Sequence, residues 1–196
     1  MTETRTEGRK FRRGAGRVLL ITCGALAREV VGLIEANGWH HLDVRGVDAH
    51  LHHRPALIPD AVRGRIREAR GRYRKIYVVY GDCGTAGALD RMLAEEGVER
   101  IAGPHCFAFY MGNQVFEDAA AADMTSFYLT DFFCRHFETF VWRALGLDRD
   151  PRMAEMVFGN YQRIVYLAQT GDADLLVRAR DIAERLGLAF EVRYHG

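Results

Sequence analysis

The chain has 196 residues, 48% of them hydrophobic and 11% aromatic, which is enough apolar surface for a sizeable core in one domain. Its 27 lysines and arginines stand against 26 aspartates and glutamates, a net charge of +1, so charge gives no argument for a nucleic-acid binder. No apolar run approaches the roughly 18 residues that a membrane span needs.

Residues 1–16, MTETRTEGRKFRRGAG, are polar and charged and lack the apolar stretch of a secretory signal. They read as a loose basic leader, with Arg9, Lys10, Arg12 and Arg13 solvated, and the chain reads as cytoplasmic. Residues 17–196 read as a single α/β domain. Val18–Cys23 is a continuous apolar run and predicts a buried strand. A helix over 25–36 follows, with Leu26, Val30, Leu33 and Ile34 on one face, closed by Asn37-Gly38. Leu42–Val47 is a weaker strand leading into AHLHHRP, and 59–72 a solvated, arginine-rich helix.

Ile76–Tyr80 is the clearest strand. GDCGTAG and a helix to Glu96 follow it, and then a short strand, Val98–Ala102, ending in GPHC. This rhythm predicts a doubly wound, mostly parallel sheet with helices on both faces. Phe107–Gly112 is apolar and aromatic. Residues 126–147 carry Phe127, Tyr128, Phe132, Phe133, Phe137, Phe140, Val141 and Trp142, a long aromatic helical segment that reads as core or subunit interface. A helix from Pro151 to about Gln162, a strand over 164–168, a helix over 173–186 and a last strand over 188–194 complete the chain.

Three of the four cysteines stand where apolar runs end: Cys23 in VLLITC, Cys83 in IYVVYGDC and Cys106 in RIAGPHC. Strand ends are where ligands collect in open α/β sheets. Structural disulfides are not expected in a reducing compartment, and the wide spacing excludes a CxxC knuckle. Cys23, Cys83 and Cys106 are therefore candidate metal ligands, since thiolates suit zinc, copper(I) or iron–sulfur clusters. Of His50, His52 and His53, His52 is the preferred ligand or acid–base group. Adjacent residues on an extended segment point to opposite sides, so His105 and Cys106 are not expected to ligate one ion together. Glu29 lies one and a half turns beyond Cys23 and is a second catalytic candidate, with Asp82 and Asp131 as further carboxylates near the same edge. Gly81 and Gly84 are read as letting the backbone approach a ligand held by Cys83. The pattern is neither a P-loop nor GxGxxG, and GxSxG and HExxH are absent.

Taken together, ITCGAL, LHxxP, YGDCG, GPHC with a glycine six residues on, and FYLTDFF resemble an uncharacterised family of bacterial and archaeal proteins of unknown function. The resemblance spans about 17–195, and Cys23, Glu29, His52, Cys83 and Cys106 fall on its motifs. Cys134 lies outside them and reads as core. Members resembling this family often lie beside genes for corrinoid-dependent methyltransferases. That implies methyl transfer or one-carbon and methylamine metabolism, with a small thiol or methylated amine as substrate. A zinc held by three cysteines would activate the thiol; an open-site 4Fe–4S cluster and a non-enzymatic accessory role for a methyltransferase are the alternatives. Any corrinoid would sit on a partner protein, because a DxHxxG-type signature is absent. A homo-oligomer is expected, and neither nucleic acid nor membrane.

Overall fold

The computed structural model describes residues 17–194, so the predicted leader and its basic cluster lie outside the described residues. The described strands pair in parallel throughout. The α/β class is as predicted, but the strands form two sheets, of four and three strands, where one was expected. The chain divides into two compact units.

The first unit comprises residues 17–51, 55–80 and 85–102. Its sheet is built from β1 (Val18–Cys23), β2 (Leu42–Val47), β3 (Lys75–Val79) and β4 (Glu99–Arg100) in the order β2-β1-β3-β4. The winding reverses between β1 and β3, so the carboxyl ends of these two strands form the sheet's topological switch point. Leu19, Ile21 and Cys23 of β1 and Val78 of β3 are fully enclosed, which is why β1 reads as an unbroken apolar run. Helix α1 (Ala27–Ala36) starts later than predicted. It buries none of its residues completely, and Leu33 stays exposed. Helix α2 (Ile58–Ala69) is more than a solvated helix: Ile58, Val62, Ile66 and Ala69 recur at the spacing of one helical face and are buried. Its polar side holds Arg67, which, with Arg70 just beyond the helix, pairs with Glu96 at the end of α3 (Ala88–Glu96).

The second unit comprises residues 52–54, 81–84 and 103–194. Its sheet has the order β5-β6-β7, from β5 (Ser126–Thr130), β6 (Arg163–Ala168) and β7 (Ala189–Tyr194). The central strand β6 is buried on both faces. Ile164, Tyr166 and Ala168 pack in a cluster with Cys134 and Phe137 of α6 (Asp131–Phe137), Phe158 of α7 (Met153–Phe158) and Leu175, Ala179 and Ile182 of α8 (Ala173–Leu186). Val165 and Leu167 point the other way, onto Met111, Phe107 and Tyr110 of α4 (Cys106–Met111) and Phe116 of α5 (Asn113–Ala119).

The aromatic segment differs from its prediction. Phe127 and Tyr128 lie on β5, and the helix begins only at Asp131. Thr130 caps it by accepting the Phe133 N–H, and a π turn over Glu138–Trp142 extends it. Overlapping strand and helix periods read as one long helix when only aromatic positions are counted.

Two buried carboxylates fasten this unit. Asp131 accepts hydrogen bonds from the Tyr166 hydroxyl at 2.7 Å and the Thr170 hydroxyl at 2.7 Å, tying β5 to β6 at their carboxyl ends. Asp123 takes both Arg193 guanidinium nitrogens at 2.6 and 2.9 Å, Arg163 at 2.9 Å and the Tyr128 hydroxyl at 2.5 Å. The Arg193 pairing foremost holds the Asp123 carboxyl well below the usual carboxylate range.

Candidate metal centre

The loop that leaves β3 turns on two consecutive left-handed residues, Cys83 at φ +47° and Gly84 at φ +83°. Glycine adopts that region freely; for cysteine it is strained, at a cost of about 1–2 kcal/mol. The strain is held by the neighbouring segment. The Asp82 N–H donates to the Gly103 carbonyl at 3.3 Å and the Cys83 N–H to the Pro104 carbonyl at 3.2 Å. Gly81 makes the approach feasible: a Cβ there would lie 2.8–2.9 Å from backbone atoms of His105 and Cys106, closer than packed atoms come.

The GPHC segment supplies the other two groups. His105 is extended, at φ −148° and ψ 155°, and serves as N-cap of α4, its Nδ1 accepting the Phe107 N–H at 3.2 Å. Cys106 is the first residue of that helix. It does not end a strand, as predicted, because β4 stops at Arg100. The chain changes from extended to helical between the two residues, so strand alternation no longer applies. The expectation that His105 and Cys106 diverge is overturned: Cys106 Sγ lies 3.6 Å from His105 Nδ1. One ligand atom each from Cys83, His105 and Cys106 falls within 4.8 Å of the others.

The electrostatics favour ligand forms. The Cys83 thiol is held below its ordinary range, chiefly by a hydrogen bond from the Cys106 thiol and also by the Cys106 and Gly81 N–H groups; burial opposes them. Burial, then the nearby His52, pushes His105 down to about 4, so its imidazole is neutral at pH 7 with a lone pair to offer. The spacing also fits an ion. Two ligands of one tetrahedral zinc, at about 2.3 Å for sulfur and about 2.05 Å for nitrogen, stand about 3.6 Å apart, matching the Cys106–His105 separation. Binding through Nδ1 would displace the Phe107 N–H from that lone pair.

His52 belongs to the same unit as the three donors, on a short 3₁₀ turn over Ala49–His53. Its ring centroid is 6.4 Å from that of His105. Two imidazoles on one tetrahedral zinc would have centroids about 5 Å apart, so His52 stands just beyond ligand distance. Burial, then His53, holds its pKa below the ordinary histidine value. Rings continue outward from the donors: Phe107 lies 4.3 Å from His105, Tyr128 5.3 Å and Phe133 6.2 Å from Phe107.

Cys23 ends β1 in the first unit, fully buried, with the Ala25 N–H donating to its sulfur at 3.4 Å; it is not one of the three grouped donors. Glu29 lies in the first turn of α1, also in the first unit. Cys134 is core, as expected, and burial pushes its thiol up to about 12. His105 is the group that sequence reasoning set aside. The signal was present: Pro104 stops the extended segment, and the apolar CFAFYM run after it marks a helix whose cap is the histidine.

Compared with known protein families, residues 47–196 match the family described as protein of unknown function, DUF1638. No curated protein and no solved structure matches. The matched span includes His52, Cys83, His105 and Cys106 and leaves out Cys23 and Glu29. Covering 150 of the 196 residues (47 to 196 inclusive), the match makes the chain a member of that family of unknown function.

Proposed function

We propose that Cys83, His105 and Cys106 hold one zinc ion, and that the chain is an enzyme which uses the remaining coordination position to activate a small thiol. The observation that carries this reading is the convergence of two sulfurs and one neutral imidazole within 4.8 Å. Two thiolates, an imidazole and one open position form a donor set of the catalytic zinc kind. When bound, the ion would lower the pKa of a coordinated thiol or water and leave a nucleophile at neutral pH. His52, neutral and just beyond ligand distance, takes the proton that such a thiol gives up. Phe107 and the rings behind it wall the histidine side with apolar surface, which strengthens charge interactions by excluding water.

A corrinoid on a partner protein, as the motif resemblance implies, would supply the methyl group, its cobalt–carbon bond breaking with the electron pair left on cobalt as the thiol sulfur gains the methyl and becomes a thioether. A single ion suits these donors better than a 4Fe–4S cluster. Such a cluster binds each cysteine through a different iron and spreads the sulfurs apart, whereas the ligand atoms of Cys83 and Cys106 lie within 4.8 Å of one another.

Elemental analysis of protein purified without oxygen tests the metal. Roughly one zinc per chain is expected, lost in Cys83→Ser and Cys106→Ser and retained in Cys134→Ser. A metal-free wild type, or zinc retained in the Cys83→Ser/Cys106→Ser double variant, sinks the reading. For the reaction, zinc-loaded protein is incubated with a methylcorrinoid and small thiols. Thioether formation that slows at least tenfold in His52→Ala, with zinc still bound, supports the acid–base role; an equal rate in that variant removes it.

A further inference from the structure

We infer that Cys83 and Cys106 form a redox couple, closing to a disulfide when a peroxide reaches them and so releasing the metal. This rests on the zinc reading of the same site. The two sulfurs lie within 4.8 Å of one another. Their backbones are held side by side by the Cys83 N–H on the Pro104 carbonyl and by the close approach at Gly81, which keeps the two sulfurs neighbours. Cys83 sits in a left-handed conformation at φ +47°, and residues held in such strained backbone cluster at active sites and switch regions.

Access separates this pair from the other two cysteines. Cys83 and Cys106 are 5% and 4% exposed, against 0% for Cys23 and 1% for Cys134. Hydrogen peroxide is small enough to reach thiols so nearly enclosed. The oxidant class is therefore a small peroxide.

The step balances in the metal-free pair as follows. The Cys83 thiol gives its proton to solvent and its sulfur attacks one peroxide oxygen; the O–O bond breaks, and the departing hydroxide takes a solvent proton to become water. Cys83 is then a sulfenic acid. The Cys106 sulfur attacks the Cys83 sulfur; the S–S bond forms, the S–O bond breaks, and the leaving hydroxide carries off the Cys106 proton as a second water. The two sulfurs supply the two electrons that reduce the peroxide. With zinc bound both cysteines begin as thiolates, so both protons come from solvent, and the ion is left with His105 as its one ligand from the group.

The test treats zinc-loaded protein with a small excess of hydrogen peroxide. It follows zinc release with a chromogenic chelator and the loss of two hydrogens by intact mass, and maps the link by digestion. One zinc released per disulfide, a Cys83–Cys106 link, and recovery of zinc binding after dithiothreitol are the expected results. Cys134→Ser should behave as wild type; Cys106→Ser should form no link. Zinc that stays bound with both thiols intact, a link through Cys23 or Cys134, or oxidation to sulfinic acid without a link overturns the couple and leaves the zinc reading standing. The same treatment of chelator-stripped protein keeps the two claims apart: a chain that takes no zinc defeats the metal reading, while its disulfide is still read by mass.

Discussion

His105 carries a cost whose sign can be measured. Its pKa is about 4 in the folded chain, set by burial and by His52, against about 6.5 when unfolded. Above pH 6.5 the ring is neutral in both states and takes nothing from stability. As pH falls below that value the unfolded chain binds a proton that the folded chain does not, so stability declines down to about pH 4 and then levels. The loss is at most about 3 kcal/mol. His52 and His136, both also lowered by burial first, act in the same direction. The carboxylates paired with arginine, Asp123 and Glu96, have folded pKa values below the ordinary 3.8 and 4.5, so their contribution is full above those values and is lost as pH falls from them towards the folded ones. Urea unfolding of metal-free protein should therefore show a lower midpoint at pH 4.5 than at pH 7. His105→Asn, which retains an N-cap acceptor, should show a smaller drop. An equal drop in the variant would mean that the ring is not desolvated in the folded chain. Position at the ends of apolar runs singled out Cys83 and Cys106, and equally Cys23, which is not among the grouped donors. His105 was not legible by the strand rule, since the residue sits where one backbone geometry gives way to another.

At the scale of elements, the close pairing of the GDCG and GPHC segments depends on Gly81. A methyl group there meets backbone, not a yielding side chain, so Gly81→Ala must push the two segments apart. Zinc affinity should fall at least tenfold in a chelator competition, while the circular dichroism of the helices is retained and stability falls by about 1–3 kcal/mol. Gly64→Ala is the control: its Cβ meets nothing within 4 Å, and in the helix α2 it should stabilise by about 0.5–1 kcal/mol. Zinc affinity unchanged in Gly81→Ala would show that the ligands do not need the approach. Sequence periodicity placed β1, β2 and α8 at their observed bounds, because each is a strong pattern bounded by turn residues. It failed at β5, where SFYLT alternates for only five residues before a helix of the same aromatic composition begins. It also could not divide the strands between two sheets, since strand–helix rhythm is the same in one sheet or two.

The whole molecule shows why a metal here would be coupled to folding. Residues 52–54 and 81–84 are grouped with the second unit, although the stretches on either side, up to 51, 55–80 and 85–102, belong to the first. The donors Cys83, His105 and Cys106 thus come from segments separated by a strand and a helix of the other unit. An unfolded chain has no such site, so zinc stabilises the fold by mass action, by about 4 kcal/mol at a thousandfold excess over Kd. The two tryptophans report the units separately: Trp39 lies in the first, and Trp142 lies in the second, packed in its core cluster under Arg185. In single-tryptophan variants, Trp39→Phe and Trp142→Phe, thermal unfolding is followed by fluorescence with and without zinc. The transition seen by Trp142 should move up by several degrees, because the donors belong to its unit, and the shift should vanish when Cys83→Ser and Cys106→Ser are added. A zinc shift confined to the Trp39 transition would place the ion in the first unit, where Cys23 stands, and would remove Cys83, His105 and Cys106 as its ligands.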